Sequence, residues 1–303
     1  MILFPFSHSD SPTDMSRPIR IEFPGAHYLV TSTGLDGGPE RGESGETAEV
    51  FRDNDDKGVF LNAIEMVVQR FGWNVHAYVL MSDHYHLIVD VPKANLSKGM
   101  RQLNGVYTQH FNRRHGIEGP LFQGRFKSVL FEPETYLLPL VRYVALSPVR
   151  ERVTTSPDKY RWSSHRSTAG FVRRPVFLRA DVLLGQFGVR ESSNQRRYRQ
   201  FVKEGVGLPS PLDERVGQVL LGSGAFLKEH APRLTGGRGA KRGPRRAGRK
   251  RTLGSIFKNV EDGSRVERNG LIRAAHIDHG YTLMEIGEHL GLHYTTVSKV
   301  INS

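Results

Sequence analysis

The chain is 303 residues long, carries a formal net charge of +12 and contains no cysteine. Disulfides, thiolate nucleophiles and cysteine zinc sites are therefore excluded, and no apolar stretch reaches membrane-spanning length, so an integral membrane protein is not expected. The positive balance favours a polyanionic partner, nucleic acid foremost. The opening Met1-Ile-Leu-Phe-Pro-Phe-Ser7 lacks a basic region and its apolar run is short. No signal peptide is expected, and a reducing, cytoplasmic setting is.

Residues 1–14 are polar and irregular. The pattern from Ile19 to Thr33 predicts a strand, clearest over His27–Thr31, and the Gly- and Glu-rich stretch 34–48 predicts a solvated loop. Residues 56–71 read as a helix with Phe60, Ile64, Val67 and Val68 on one stripe. The run Tyr78–Asp90 then alternates like a strand, and the histidine strand within it forms a hairpin with the Asn74–Met81 strand through Ser82-Asp83. Within it, His84 and His86 share a face, with Cα atoms roughly 6.8 Å apart. Two imidazoles at that spacing can converge on one divalent metal, while Tyr85, Leu87 and Val89 face a core. A hydrogen-bonded pair on a half-exposed strand is the structural alternative.

Asn95 can cap a second helix, with Leu96, Met100, Leu103, Tyr107 and Phe111 at helical spacing and an end near Gly116. Residues 119–131 read as a loop and then a strand. A third helix spans about Glu134 to Leu146 and is stopped by Pro148. Tyr136, Leu140, Tyr143 and Ser147 fall on one stripe of it, so Tyr136 and Tyr143 are rivals for an outward role, whereas Tyr107 belongs to a core stripe. The element order predicts an α+β fold of the split βαβ, ferredoxin-like kind: one antiparallel sheet with helices on one face. This sheet domain is assigned to residues 15–170.

Residues 171–235 read as a helical connector that includes a basic amphipathic piece, Gln195–Lys203. A flexible basic linker occupies 236–252, and its stretch 236–251 holds eight Lys or Arg and no acid. The last domain, 253–303, contains Thr282–Ile301, which reads as helix, turn, helix. Leu283, Ile286 and Leu290 line the first helix, Gly291 permits the turn, and Leu292, Val297, Val300 and Ile301 close the core. Tyr294, Thr295, Ser298 and Lys299 are left facing outward, where they suit base edges and phosphates of duplex DNA. A plain helical hairpin is the alternative.

Several motifs together resemble a known family: Leu80-Met-Ser-Asp-His-Tyr-His-Leu87, Asn95-Leu-Ser-Lys-Gly-Met100, Tyr107 with Phe111-Asn-Arg-Arg114, and Leu121-Phe-Gln-Gly-Arg-Phe-Lys127. Tyr136-Leu-Leu138, Arg142-Tyr-Val-Ala-Leu-Ser-Pro-Val149 and Tyr160-Arg-Trp-Ser-Ser164 follow in order. Over residues 17–165 the chain resembles the REP-associated tyrosine transposases, within the HUH superfamily of single-tyrosine nucleases. The resemblance implies cleavage and joining of single-stranded DNA at hairpin-forming repeats in a prokaryotic, nucleoid-associated setting. It implies that His84 and His86 bind Mg²⁺ or Mn²⁺ and that Tyr143 is the nucleophile, leaving a 5′-phosphotyrosine. Arg113, Arg114, Arg125, Lys127 and Arg142 are candidates for phosphate contacts. Where the family carries an amide that completes the metal site, this chain has Ser147. Asp83 replaces a family Asn, Pro120 a family His, and Thr33-Gly34 a family Arg-Gly. Related transposases work as dimers, so a homodimer is compatible with the resemblance. A domesticated, non-cleaving repeat-binding regulator is the alternative that Ser147 raises.

Overall fold

Four segments with alternating or continuous apolar character pair into the central sheet: β1 (Ala26–Thr33), β2 (Asn74–Leu80), β3 (His84–Val91) and β4 (Lys127–Phe131). In the computed structural model, which describes residues 20–35, 47–239, 252–258, 264–277, 279, 281 and 283–302, β3 pairs antiparallel with both β2 and β1, and β1 with β4. The order β2-β3-β1-β4 is the antiparallel ferredoxin-like sheet that the element order predicts. A fifth strand, β5 (Leu220–Leu221), extends it by pairing parallel to β4, so the complete sheet is mixed. The residues before 20 and the core of the predicted Gly/Glu-rich loop, 36–46, lie outside the described residues.

Helix α1 (Asn54–Phe71) and helix α2 (Leu96–His115) cover one face of the sheet. Phe60 of α1 lies 4.5 Å, centroid to centroid, from Tyr85 of β3, and the Tyr85 hydroxyl donates to Asn104 Oδ1 of α2 at 2.5 Å. Phe60, Ile64 and Val67 are buried as the stripe predicts, as are Leu96, Met100, Leu103, Tyr107 and Phe111 on α2. Each such burial contributes about 1.5–3 kcal/mol relative to exposure. Asp53 caps α1 by accepting from the backbone N–H groups of Asp55 and Asp56 at 3.0 Å. Asn95 departs from the expected capping role: it stands at the N-cap, but its side chain accepts from Trp73 Nε1 and donates to the Phe71 carbonyl, both at 2.9 Å. The indole lies close enough to compete successfully for that amide.

Helix α3 (Pro133–Ala145) is the exception to the expectation of helices on one face. It packs on the opposite face, where Tyr143 meets His86 of β3. Pro148 does not simply stop the chain. It opens a one-turn helix, α4 (Ser147–Arg150), directly after α3. The segment from 165 onward holds short helices α5 (His165–Thr168), α6 (Ala180–Gly185) and α7 (Glu191–Lys203), then β5 and α8 (Gly224–Gly239). Phe177, Leu178, Leu183, Leu184, Tyr198, Val202 and Leu220 join the same buried cluster as the sheet. The predicted basic linker starts within the last turn of α8, and its remainder, 240–251, lies outside the described residues.

The chain divides into two units, Met1–Arg238 and Gly239–Ser303. The second is built from α9 (Leu253–Ile256), α10 (Arg265–Ile277), α11 (Leu283–Leu290) and α12 (Tyr294–Asn302). Phe257, Ile272, Ala275, Ile286 and Val297 form its core, flanked by Leu283, Leu290, Leu292, Val300 and Ile301. Gly291 turns the chain between α11 and α12 at φ +61°, a left-handed conformation that glycine adopts without steric cost. No helix of the described residues is long and apolar enough to cross a membrane.

Gly99 marks a tight joint of the sheet unit, because a Cβ there would lie 2.1 Å from Trp73 Cζ2. Gly99→Ala is expected to destabilise the protein by about 1–3 kcal/mol through overpacking, read as a lower urea midpoint with an unchanged slope.

Candidate active site

The site grows from the alternation of β3. His84 and His86 project from the face opposite Tyr85, and their ring centroids are 4.9 Å apart. Each ring is oriented through Nδ1: His84 Nδ1 lies 2.8 Å from Asp83 Oδ1, and His86 Nδ1 lies 2.7 Å from Thr31 Oγ1. Thr31 is the direct cross-strand partner of His86 on β1, so the sheet register itself delivers that hydroxyl. With both Nδ1 atoms engaged, the Nε2 atoms are left for the site. Carboxylate and hydroxyl partners of this kind orient ligating imidazoles and tune their basicity.

Helix α3 brings Tyr143 over the pair, with its ring centroid 5.9 Å from that of His86. Tyr136, the rival on helix geometry, is committed elsewhere: its hydroxyl donates to Glu214 Oε2 at 2.5 Å, and that hydrogen bond pushes its pKa up to about 12. Tyr107 is a core residue whose hydroxyl donates to the Val50 carbonyl.

Ser147 is fully buried, and its hydroxyl is engaged within its own helical segment. It donates to the Tyr143 carbonyl at 3.3 Å and accepts from Arg150 Nη2 at 2.8 Å. The group that does approach the histidines is Glu151, whose Oε1 is 3.6 Å from His84 Nε2. Asp83, His84 and Glu151 each offer a ligand atom within 4.8 Å of the others. Sequence reading missed Glu151 because α3 ends at Ala145 and a new short helix restarts at Ser147, so helical periodicity from Tyr143 does not carry through to it. Arg150 also escaped notice. Its guanidinium lies 3.9 Å from the Tyr143 ring centroid, and Nη1 donates to the Tyr143 carbonyl at 3.1 Å.

The electrostatics suit a cation. Burial, reinforced by His84 and Arg150, pushes the pKa of His86 down to about 3, so the ring is neutral and its lone pair is available at ordinary pH. The hydrogen bond from His84 holds Asp83 below the usual carboxylate range, and burial raises Glu151. Two imidazoles with their other nitrogens already engaged, beside one reachable carboxylate, fit a divalent ion.

The five basic residues nominated for phosphate contact have different fates. Lys127 is opposite Thr31 on β4, so it is exposed in the same cross-sheet row as His86. Arg113 and Arg125 are exposed. Arg114 is taken by acids, with Nη2 at 2.6 Å from Asp53 and Nη1 at 2.5 Å from the fully buried Asp56. Its charge closes the start of α1. Arg142 lies over the Phe201 ring, 4.4 Å from its centroid. With Tyr143, Arg150 and the 205–211 segment it lines a cavity of about 670 Å³. On α12, Lys299 is exposed and Ser298 half-buried, while the side chains of Tyr294 and Thr295 lie outside the described residues.

Residues 46–145 match the family model described as "Transposase IS200 like". A solved structure of a REP-associated tyrosine transposase bound to a REP hairpin is similar at 19% identity and TM-score 0.42, over 54% of this chain and 90% of that one. No curated protein matches.

The depressed pKa of His86 has a stability consequence. Between its ordinary value of 6.5 and about 3 the unfolded chain binds a proton that the folded one refuses. Stability from this group is therefore full above 6.5 and falls as pH drops towards 3. Imidazole NMR of the metal-free protein at pH 5 should find His86 neutral; a protonated ring there would contradict the assignment.

Proposed function

We propose that the sheet unit is a metal-dependent single-strand DNA endonuclease and strand transferase acting on hairpin-forming repeats, with Tyr143 as its nucleophile. The observation that carries this reading is the Tyr143 ring beside His86, within a segment of IS200-like transposase sequence. His84, His86 and Glu151 would hold Mg²⁺ or Mn²⁺, with the mixed nitrogen and oxygen donors favouring Mn²⁺. Asp83 and Thr31 would keep the two rings aimed. When bound, the ion would polarise the scissile phosphate and offset its developing charge.

The Tyr143 hydroxyl attacks phosphorus, and the proton it gives up ends on the departing O3′. An Oη–P bond forms and the P–O3′ bond breaks, leaving a 5′-phosphotyrosine and a free 3′-hydroxyl. Attack by a second 3′-hydroxyl reverses the step and joins strands, which divides one hard displacement into two. Arg150, stacked on the Tyr143 ring, places a fixed positive charge where the phosphate must approach. Lys127, across β1 from His86, would hold a neighbouring phosphate, and the cavity behind Tyr143 and Arg142 has room for an unstacked base. The C-terminal unit would read duplex DNA beside the hairpin through Ser298, Lys299 and the start of α12, or support a homodimer.

One observation favours a second reading. The engaged Ser147 hydroxyl leaves the position of the family's amide without a free ligand, and a repeat-binding regulator without cleavage would need none. The two readings separate when the protein is mixed with Mn²⁺ and labelled single-stranded hairpin repeats from its own genome. A covalent protein–DNA adduct is expected, absent in Tyr143→Phe while hairpin binding persists. Tight binding with no adduct under any metal would leave only the regulator.

Asp83→Ala, which removes the acceptor on His84 Nδ1, should weaken Mn²⁺ binding by about 10- to 100-fold, as loss of a ring-orienting partner commonly does, measured by calorimetry. Lys299→Ala should weaken duplex binding about equally for all sequences and lower the salt slope by about 1; an unchanged slope would remove Lys299 from the contact.

A further inference from the structure

A second cluster of donor groups lies on the histidine face of the sheet. It is centred on Asp90, four residues along β3 from His86 and so roughly 13 Å away. His76 Nε2 of β2 is 2.7 Å from Asp90 Oδ1, and His27 Nε2 of β1 is 3.9 Å from the same oxygen. The two imidazoles stack with centroids 5.9 Å apart. One ligand atom from each of the three residues lies within 4.8 Å of the others.

The backbone builds this convergence. His27 is the direct cross-strand partner of Asp90. The β2–β3 pairing runs Val75 to Val89 and then Ala77 to Ile88, so His76 is the extra residue of a β-bulge. A bulge re-aims a side chain at the expense of one ladder position, and here it delivers a histidine to a carboxylate. The supporting contacts also have the form of a ligand site. Asn74 Nδ2 donates to Asp90 Oδ2 at 2.9 Å, fixing the carboxylate and leaving Oδ1 towards the rings. The backbone of Gly25 hydrogen-bonds the His27 ring. His76 is 2% exposed, yet its Nδ1 has no hydrogen-bond partner among the described residues.

We infer that His27, His76 and Asp90 form a second metal site, for a transition ion of the Zn²⁺ class. Two imidazoles and one carboxylate are a familiar donor set for Zn²⁺, with water completing four-coordination, whereas Mg²⁺ prefers an octahedral shell of oxygens. Binding through His76 Nε2 requires the proton now shared with Asp90 to leave. The unpartnered Nδ1 accepts it, so the ring stays neutral. An ion held there ties β1, β2 and β3 together and stabilises the folded sheet by mass action. The inference is independent of the nuclease reading, because it uses neither His84, His86 nor Tyr143.

The test uses the full chain carrying His84→Ala and His86→Ala, titrated with Zn²⁺ by calorimetry and with Co²⁺ by visible absorption. One bound equivalent, a tetrahedral Co²⁺ spectrum and a raised Tm with Zn²⁺ are expected. Adding His27→Gln or Asp90→Asn should cut the affinity at least about tenfold. No uptake by the double variant, or uptake indifferent to both further substitutions, overturns the inference. Because Asp90→Asn could disturb the buried His76, the wild-type protein supplies a second readout. Zn²⁺ must shift the His27 and His76 imidazole resonances there, and unmoved resonances overturn the site.

Discussion

Pairing of β3 between β2 and β1 is the constraint on which both faces of the sheet depend. Because side chains alternate along a strand, a one-residue slip would exchange the faces. Tyr85, now inside the aromatic cluster with Phe60 and Tyr107, would be turned out, and His86 would be turned in. The energy that locks the register comes from the buried face, where whole aromatic rings leave water. The histidine face inherits its precision from that packing. Thr31 meets His86, and Lys127 falls in the same row, because the aromatic side of the sheet allows no other register.

The same arrangement explains which parts of the molecule were legible in the sequence. Strand alternation and the stripes of α1 and α2 are local patterns with strong burial behind them, so β1 to β4 and the first two helices follow from the residues directly. The side of the sheet on which α3 packs is a tertiary choice, and nothing in its periodicity reports it. The two-residue strand β5 is shorter than any pattern could reveal; it pairs because Leu220 and Leu221 are carried to the free edge of β4 and buried there.

Charged side chains divide by a related logic. Arg114 reads in sequence as one more cation of a basic surface. Asp56 is fully buried at the start of α1, however, and a buried carboxylate is costly unless it is paired. Arg114 and His115 supply that pairing from the end of α2, which fixes the two helices together. Lys127 has no such obligation and remains exposed beside the site. Net charge therefore overstates the basic surface available to a polyanion, and only the tertiary partners of each arginine separate structural cations from free ones.

The site itself turns on a break in a helix. Had α3 continued past Ala145, the residue four beyond Tyr143 would remain on the same stripe, and Ser147 would be the natural third donor. Instead the chain restarts at Ser147 with Pro148 behind it, and Arg150 returns to cover both the Ser147 hydroxyl and the Tyr143 ring. Once the hydroxyl is engaged in this way, the approach to His84 passes to Glu151, the first residue after the short helix. A carboxylate is a stronger ligand for a hard divalent ion than a hydroxyl or an amide, and it brings a negative charge that neither of those carries. The departure at Ser147 and the arrival of Glu151 are therefore one rearrangement, and in the proposed metal site it would make the donor set more anionic rather than remove a ligand.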